Sequence, residues 1–253
     1  MSKYKIWFQG ATDRTMMGPY IERVEAHFRE ILEPEFGFTF NTTTPPVTTT
    51  HALSEFRAAR NFIRNTVEAE RQGYDCVAIT HFQDAGLMEA KAAVDIPVIG
   101  LGETTLFHAC TLGRKLGLVT INPAFIPWHE DQVIRYRIQD RIVGVRAVDA
   151  KVGNYIEAFA RKDAFDALYP RWERECRTLL DAGADVIVPA GGIPMMLFGG
   201  TLDGAPVVNG MTLIAKTAEM IIKLRKLGGA QVSRRSNFAP PPEKALREFI
   251  EQG

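Results

Sequence analysis

His81 and Asp84 stand three positions apart, just past the apolar run Cys76-Val77-Ala78-Ile79. An imidazole titrates near working pH, at about 6.5, and so suits general-base work. A carboxylate three residues on can orient the ring and stabilise its charged form, or simply cap a helix beginning near Ala85. The pair also invites a metal, with His51, His108 or His129 as further ligands. That spacing lacks the force of two histidines one turn apart on a helix, and the expectation is no metal and no cofactor. A second point of chemistry is Gly191-Gly192. Glycine leaves backbone amides open to close approach by a carboxylate or a developing oxyanion, or it merely makes a tight turn. Thr104 and Thr212 read as N-caps at the starts of two helices, where an anion is also favoured. Glu103 offers a carboxylate to a substrate nitrogen or to the helix start, and Arg14 a cation to a carboxylate. Met195-Met196-Leu197-Phe198 reads as a packing or lid element.

These residues sit on a unit that occurs twice, Gly73 of one copy standing 110 positions before Gly183 of the other. The first copy runs Gly73-Tyr74-Asp75-Cys76-Val77-Ala78-Ile79-Thr80-His81, then Ile96-Pro97-Val98-Ile99-Gly100. The second runs Gly183-Ala184-Asp185-Val186-Ile187-Val188-Pro189-Ala190-Gly191, then Ala205-Pro206-Val207-Val208-Asn209-Gly210. Short β-branched runs bounded by Gly and Pro read as buried parallel strands. Open α/β sheets bind ligands beyond the carboxyl ends of their strands, which places a candidate site at His81 and at Gly191.

Strands expected at Lys5–Phe8, Gly37–Phe40, Lys115–Thr120 and near Ile142–Val148 alternate with helical stretches. Those stretches include Leu53–Gln72, Tyr155–Ala182, a helix from Gly210 to Gly228-Gly229, and a tail helix after the prolines at 240–242. The alternation predicts an α/β fold of two pseudo-symmetric, doubly wound parallel-sheet lobes. The expected lobes are 1–100 with 210–253, and 101–209. At 253 residues the chain can bury a sizeable core. Thirty basic and thirty acidic residues cancel, which argues against a nucleic-acid or membrane partner. No apolar run is long enough to span a bilayer, and the start passes straight into a strand without a signal peptide. Three unrelated cysteines form neither a disulfide framework nor a zinc knuckle. The expectation is a cytoplasmic homo-oligomer acting on a small molecule.

The stretch from Gly73 to Thr120 resembles the aspartate/glutamate/hydantoin racemase superfamily. Its carriers are Phe82-Gln83-Asp84-Ala85-Gly86-Leu87, Pro97-Val98-Ile99-Gly100-Leu101-Gly102-Glu103 and Gly113-Arg114-Lys115-Leu116-Gly117-Leu118-Val119-Thr120. The second copy is similar through Gly183–Val188 and Pro206–Gly210. The resemblance implies a cofactor-free enzyme of two lobes with the substrate between them. It also implies a cysteine at each strand end, one removing a proton alpha to a carbonyl and the other supplying one. Here those places hold His81 and Gly191, while Cys76, Cys110 and Cys176 read as packing residues. The family's Asn-Pro-Asn-Ser/Thr loop is replaced by Gln9-Gly10-Ala11-Thr12-Asp13-Arg14. His81 and Asp84 are therefore the candidate catalytic pair. Gln9, Thr12, Arg14, Phe82, Gln83, Glu103, Thr104, Thr120, Gly191, Gly192 and Thr212 are candidate substrate contacts.

Three functions remain open from the sequence. One is isomerase-type proton transfer on a small carboxylate or cyclic amide with His81 as the base. Another is hydrolase or lyase chemistry in the same cleft, by ring opening or decarboxylation, and the last is ligand binding without catalysis.

Overall fold

The computed structural model describes residues 2–12, 14–47, 49–228 and 232–251. The chain divides into two compact units, one made of Met1–Asp13, Ile31–Gly100 and Ile214–Gly253, the other of Arg14–Glu30 and Leu101–Leu213. The second unit therefore takes in residues 14–30 as well as 101–213, where sequence spacing had placed 14–30 in the first lobe. Both units are α/β, each built on a sheet whose strands run mainly parallel.

In the first unit β1 (Tyr4–Gln9), β2 (Phe36–Asn41), β3 (Cys76–Ile79) and β4 (Val98–Gly100) form a sheet of order β2-β1-β3-β4, all parallel. Side chains alternate across a sheet, so in-register residues share a face. Trp7 lies beside Thr39 and Val77, and Gln9 beside Asn41 and Ile79. The helix α2 (Ala52–Arg71) covers that face. Its Ala58 and Phe62 enter one apolar core with Trp7, Val77 and Ile79. Its Asn65 donates to the Gln9 side-chain carbonyl at 2.9 Å. The remaining elements of this unit are α3 (Leu87–Ala93), most of α9 (Gly210–Lys226) and α10 (Glu243–Glu251).

In the second unit β5 (Leu116–Thr120), β6 (Ile142–Ala147), β7 (Val186–Pro189), β8 (Gly200–Leu202) and β9 (Ala205–Val207) give the order β6-β5-β7-β9-β8. Only β8 with β9 is antiparallel. That hairpin was not anticipated, although its turn residues Asp203-Gly204 both carry positive φ, 49° and 83°, the chemistry of a two-residue hairpin loop. Its helices are α1 (Arg14–Ile31), α4 (Leu101–Leu112), α5 (Ile126–Arg135), α6 (Val152–Ala160), α7 (Lys162–Asp181) and the short α8 (Gly192–Met195). One long helix was expected over Tyr155–Ala182. It is two, because Arg161 is extended at φ −135°, ψ 128°. The helix from Gly210 ends at Lys226, and Gly229 lies outside the described residues. No described helix is long and apolar enough to cross a membrane.

The repeated G-x-D motif is one backbone device used in both units. The helix before it closes with Gly73 N–H on Glu70 and Tyr74 N–H on Ala69, matched by Gly183 on Leu180 and Ala184 on Leu179. These bonds satisfy terminal carbonyls, and the glycines take the positive φ, 74° and 98°, that the reversal needs. The aspartate then clamps the start of the neighbouring strand. Asp75 accepts from Lys5 N–H at 2.9 Å; Asp185 accepts from Arg114 and Lys115 N–H at 2.9 and 2.7 Å. Burial raises the Asp185 pKa, but those amides outweigh it and hold the carboxyl below its ordinary value.

Removing the clamps should cost stability in proportion to the amides they satisfy. With solvent nearby, each bond is worth about 0.5–1.5 kcal/mol, so Asp185→Ala should destabilise more than Asp75→Ala in urea melts. A group with a depressed folded pKa stabilises above its unfolded pKa. The Asp185 contribution should therefore be complete at neutral pH and disappear as pH falls through its folded value. Equal melts for wild type and Asp185→Ala at pH 7 would remove this role.

Candidate active site

His81 lies two residues beyond Ile79, on the face of the first sheet that α2 covers. Its imidazole packs against Phe62 of α2, with ring centroids 5.6 Å apart. Nε2 lies 2.7 Å from Oε1 of Glu55, and the two side chains retain only 16% and 22% of their exposure. Glu55 stands in the first turn of α2, where the helix dipole favours a negative charge. That turn is fixed by His51, whose Nδ1 accepts from Leu53 N–H at 3.1 Å. Burial alone would lower the His81 pKa. The charge and hydrogen bond of Glu55, helped by the charge of Asp84, outweigh burial and raise it.

The partner that holds the imidazole is thus Glu55, where the sequence had suggested Asp84. The pattern His51-x-x-x-Glu55 at a helix start was its only trace in the chain, and nothing local links it to a strand 26 residues on. Asp84 is buried and in the left-handed region, φ 55°. The helix after it begins at Leu87 with Gly86 as N-cap, and Leu87 N–H donates to the Asp84 main-chain carbonyl at 3.2 Å. Its carboxylate lies against Gly100 at the end of β4, where it leaves no room for a Cβ. Phe82 is buried and Gln83 half-buried in the same turn.

Gln9 is fully buried and its amide is occupied. Oε1 accepts from Trp7 Nε1 at 3.0 Å and from Asn65, and Nε2 donates to the Gly10 carbonyl at 3.0 Å. Gln9 therefore joins strand to helix at the edge of the site. Thr12 is half-buried, and Asp13 lies outside the described residues.

In the second unit Gly191 ends the corresponding strand with φ 153°, ψ 151°, a conformation that L residues rarely adopt. Its N–H donates to Pro189 C=O at 3.0 Å, so the expected pair of open glycine amides reduces to Gly192. Met195 and Met196 are buried, which makes this run a packing element. Thr120, fully buried at the end of β5, lies 3.2 Å from Nε2 of the equally buried His129, whose Nδ1 faces Gln132 at 3.4 Å. Thr212 is inside α9, whose first amides at Met211 and Thr212 are capped by Asn209 Oδ1 at 3.1 Å each. Its hydroxyl meets His27 Nε2 at 2.8 Å. Thr104 and Glu103 are half-buried within the first turn of α4, which begins at Leu101, so Thr104 is not a cap either. Arg14 is exposed and ion-paired with Glu25 of its own helix.

Cys76 and Cys176 are buried and Cys110 half-buried; burial pushes all three thiols upward in pKa. Among the described residues no group of three or more His, Cys, Asp or Glu is arranged to hold a metal ion.

The model of the family described as Asp/Glu/Hydantoin racemase matches residues 19–218. The chain is 26% identical over 202 residues to hydantoin racemase of Pseudomonas sp. (strain NS671), covering 77% of each. Among solved structures it resembles allantoin racemase from Klebsiella pneumoniae, with a TM-score of 0.80 and 21% identity over 95% of this chain and 94% of that one. It also resembles allantoin racemase from Pseudomonas fluorescens, with a TM-score of 0.75 and 22% identity over 94% and 98%.

The backbone at Gly191 sets a stability expectation. A Cβ would lie 3.3 Å from Pro194 Cδ and force a left-handed strain, typically about 1–3 kcal/mol. Gly191→Ala and Gly191→Cys should both lower the melting temperature by that amount of stability. An alanine variant as stable as the wild type would show that position 191 tolerates a side chain.

Proposed function

This chain belongs to the Asp/Glu/hydantoin racemase family, and we propose that it transfers a proton at the carbon beside a carbonyl in a small cyclic amide, with His81 as the base. The observation that carries this reading is the 2.7 Å contact between His81 Nε2 and Glu55. It favours the tautomer in which Nε2–H donates to the carboxylate and Nδ1 keeps its lone pair. Among the described residues no hydrogen bond reaches Nδ1. The names of the relatives, hydantoin and allantoin racemase, support a ring with carbonyl groups as the substrate class.

In this reading Nδ1 takes the proton, the C–H electron pair moves into the adjacent carbonyl, and a planar enolate forms. The new imidazolium lies beside Glu55 and within the field of Asp84, which lowers the cost of its charge. Return of the proton by His81 to the same face restores the starting isomer; a proton from water on the other face inverts it. The three cysteines take no part. His81 thus takes the place that the family resemblance gives to a cysteine thiolate.

Incubating a 5-monosubstituted hydantoin with the protein in deuterated water should place deuterium at the ring carbon and erase optical rotation, faster than the buffer alone. His81→Asn should reduce that rate by roughly 10²–10⁴-fold, the usual worth of a general base. No exchange above background with any ring substrate tested would sink the reading.

The rate should rise with pH as His81 loses its proton, because the neutral ring is the base. A raised pKa puts this limb above the ordinary histidine range. Glu55→Gln removes the main opposing charge, so the limb should move to lower pH with a smaller loss of rate than His81→Asn. By linkage, the stabilisation from the His81–Glu55 pair should be complete below the unfolded histidine pKa and lost as pH rises through the folded one. A limb that stays in place in Glu55→Gln would separate Glu55 from the titration.

A further inference from the structure

Two buried side-chain amide nitrogens of the first unit, Asn41 Nδ2 and Asn61 Nδ2, have no hydrogen-bond partner among the described residues. Buried donors in folded proteins are almost always paired, and an orphan costs free energy. Both orphans lie on the α2 side of the first sheet, near its carboxyl edge. Asn41 ends β2 in register with Gln9, so the two side chains share the face to which His81 also belongs. Asn61 is four residues before Asn65, which bonds Gln9. One helical turn of about 5.4 Å therefore places Asn61 beyond Gln9, toward the α2 start that carries Glu55. It also precedes Phe62, the residue against the His81 ring. The protein thus holds two unspent N–H donors on the side of the sheet where the imidazole sits.

We infer that Asn41 and Asn61 donate to a carbonyl oxygen of the substrate ring and so select a neutral cyclic amide at the His81 end of the first unit. This rests on the function proposed above and assigns its specificity residues. The charges nearby point the same way. Glu55 and Asp84 both act on His81, and a substrate carboxylate placed beside them would be repelled, whereas a neutral carbonyl accepts from the two amides without that penalty. Donors at a carbonyl oxygen gain strength as negative charge develops there, so the same pair would favour the enolate.

The test uses 5,5-dimethylhydantoin, which has no proton on the ring carbon and so binds without reacting. Calorimetric titration should show saturable binding to the wild type, weakened about tenfold or more in Asn41→Leu and in Asn61→Leu, the usual cost of a lost buried donor. Because leucine keeps the branched heavy-atom outline of asparagine while removing an orphan donor, the melting temperature of each free variant should be equal or higher. A structural amide would instead leave binding unchanged and lower the melt. Nitrogen-15 spectra of the wild type provide a measurement without mutation, since the two side-chain amides should shift on adding the same ring. Undiminished binding in both variants, absence of binding to the wild type, or unmoved amide signals would each overturn the assignment. Deuterium exchange into a monosubstituted ring separates the two claims. Exchange that persists undiminished in both leucine variants rejects the donors alone, and binding without exchange rejects the proton transfer alone.

Discussion

The contact between Glu55 and His81 ties the first turn of a helix to the end of a strand, and much of the first unit holds that distance. α2 must lie at one height along the sheet for Oε1 to reach Nε2 at 2.7 Å. Asn65 sets the height through Gln9, and Phe62 sets the depth by entering the core beside Val77 and Ile79. His51 fixes the first turn from outside, and Arg57 ties the helix to the preceding loop through the Pro46 carbonyl at 2.8 Å. A shift of one helical turn, about 5.4 Å, would leave a mostly buried carboxylate and a buried imidazole without each other. Both would then carry an unpaired desolvation cost. Packing of the helix and placement of the imidazole are therefore the same constraint here.

The two units use one scaffold for different ends. Each closes a helix at a glycine of positive φ, clamps the next strand with aspartate, and runs a buried strand to the carboxyl edge of its own sheet. At that edge they diverge. The first presents an imidazole held by Glu55, while the second presents a glycine whose φ of 153° disfavours any side chain. The asymmetry extends to what lies behind the strand ends. Gly100 accommodates the Asp84 carboxylate, whereas Gly210 faces the Thr105 hydroxyl and the Met195 thioether. Such divergence is open to a fold whose stability resides in the strand starts and helix ends and whose chemistry resides in the loops that follow.

Much of the architecture was legible in the chain. The G-x-D repeat, the β-branched runs and their alternation with helical stripes fixed the α/β class, because burial on both faces demands continuous apolar strands. The same periodicity located His81 and Gly191 at strand ends. It passed over the break at Arg161, since Val152–Ala160 and Lys162–Asp181 both satisfy helical spacing and only the backbone of one residue interrupts them. Thr104 and Thr212 looked like caps because a hydroxyl near a helix start usually is one. Asn209 took that position at α9, and α4 follows β4 without a linker residue.

Local pattern thus determined which elements form and where their strands end, since propensity, turn chemistry and burial period are properties of neighbouring residues. It could not determine which side chains meet across elements. Glu55 is 26 residues from His81, and Gln9 is 56 from Asn65. Those pairings exist only because the crossover from β2 to β3 lays α2 over the face shared by Trp7, Gln9 and Ile79. The imidazole's identity came from the sequence; its partner came from tertiary packing, and its raised pKa from the carboxylates that packing brought to it against the opposing effect of burial.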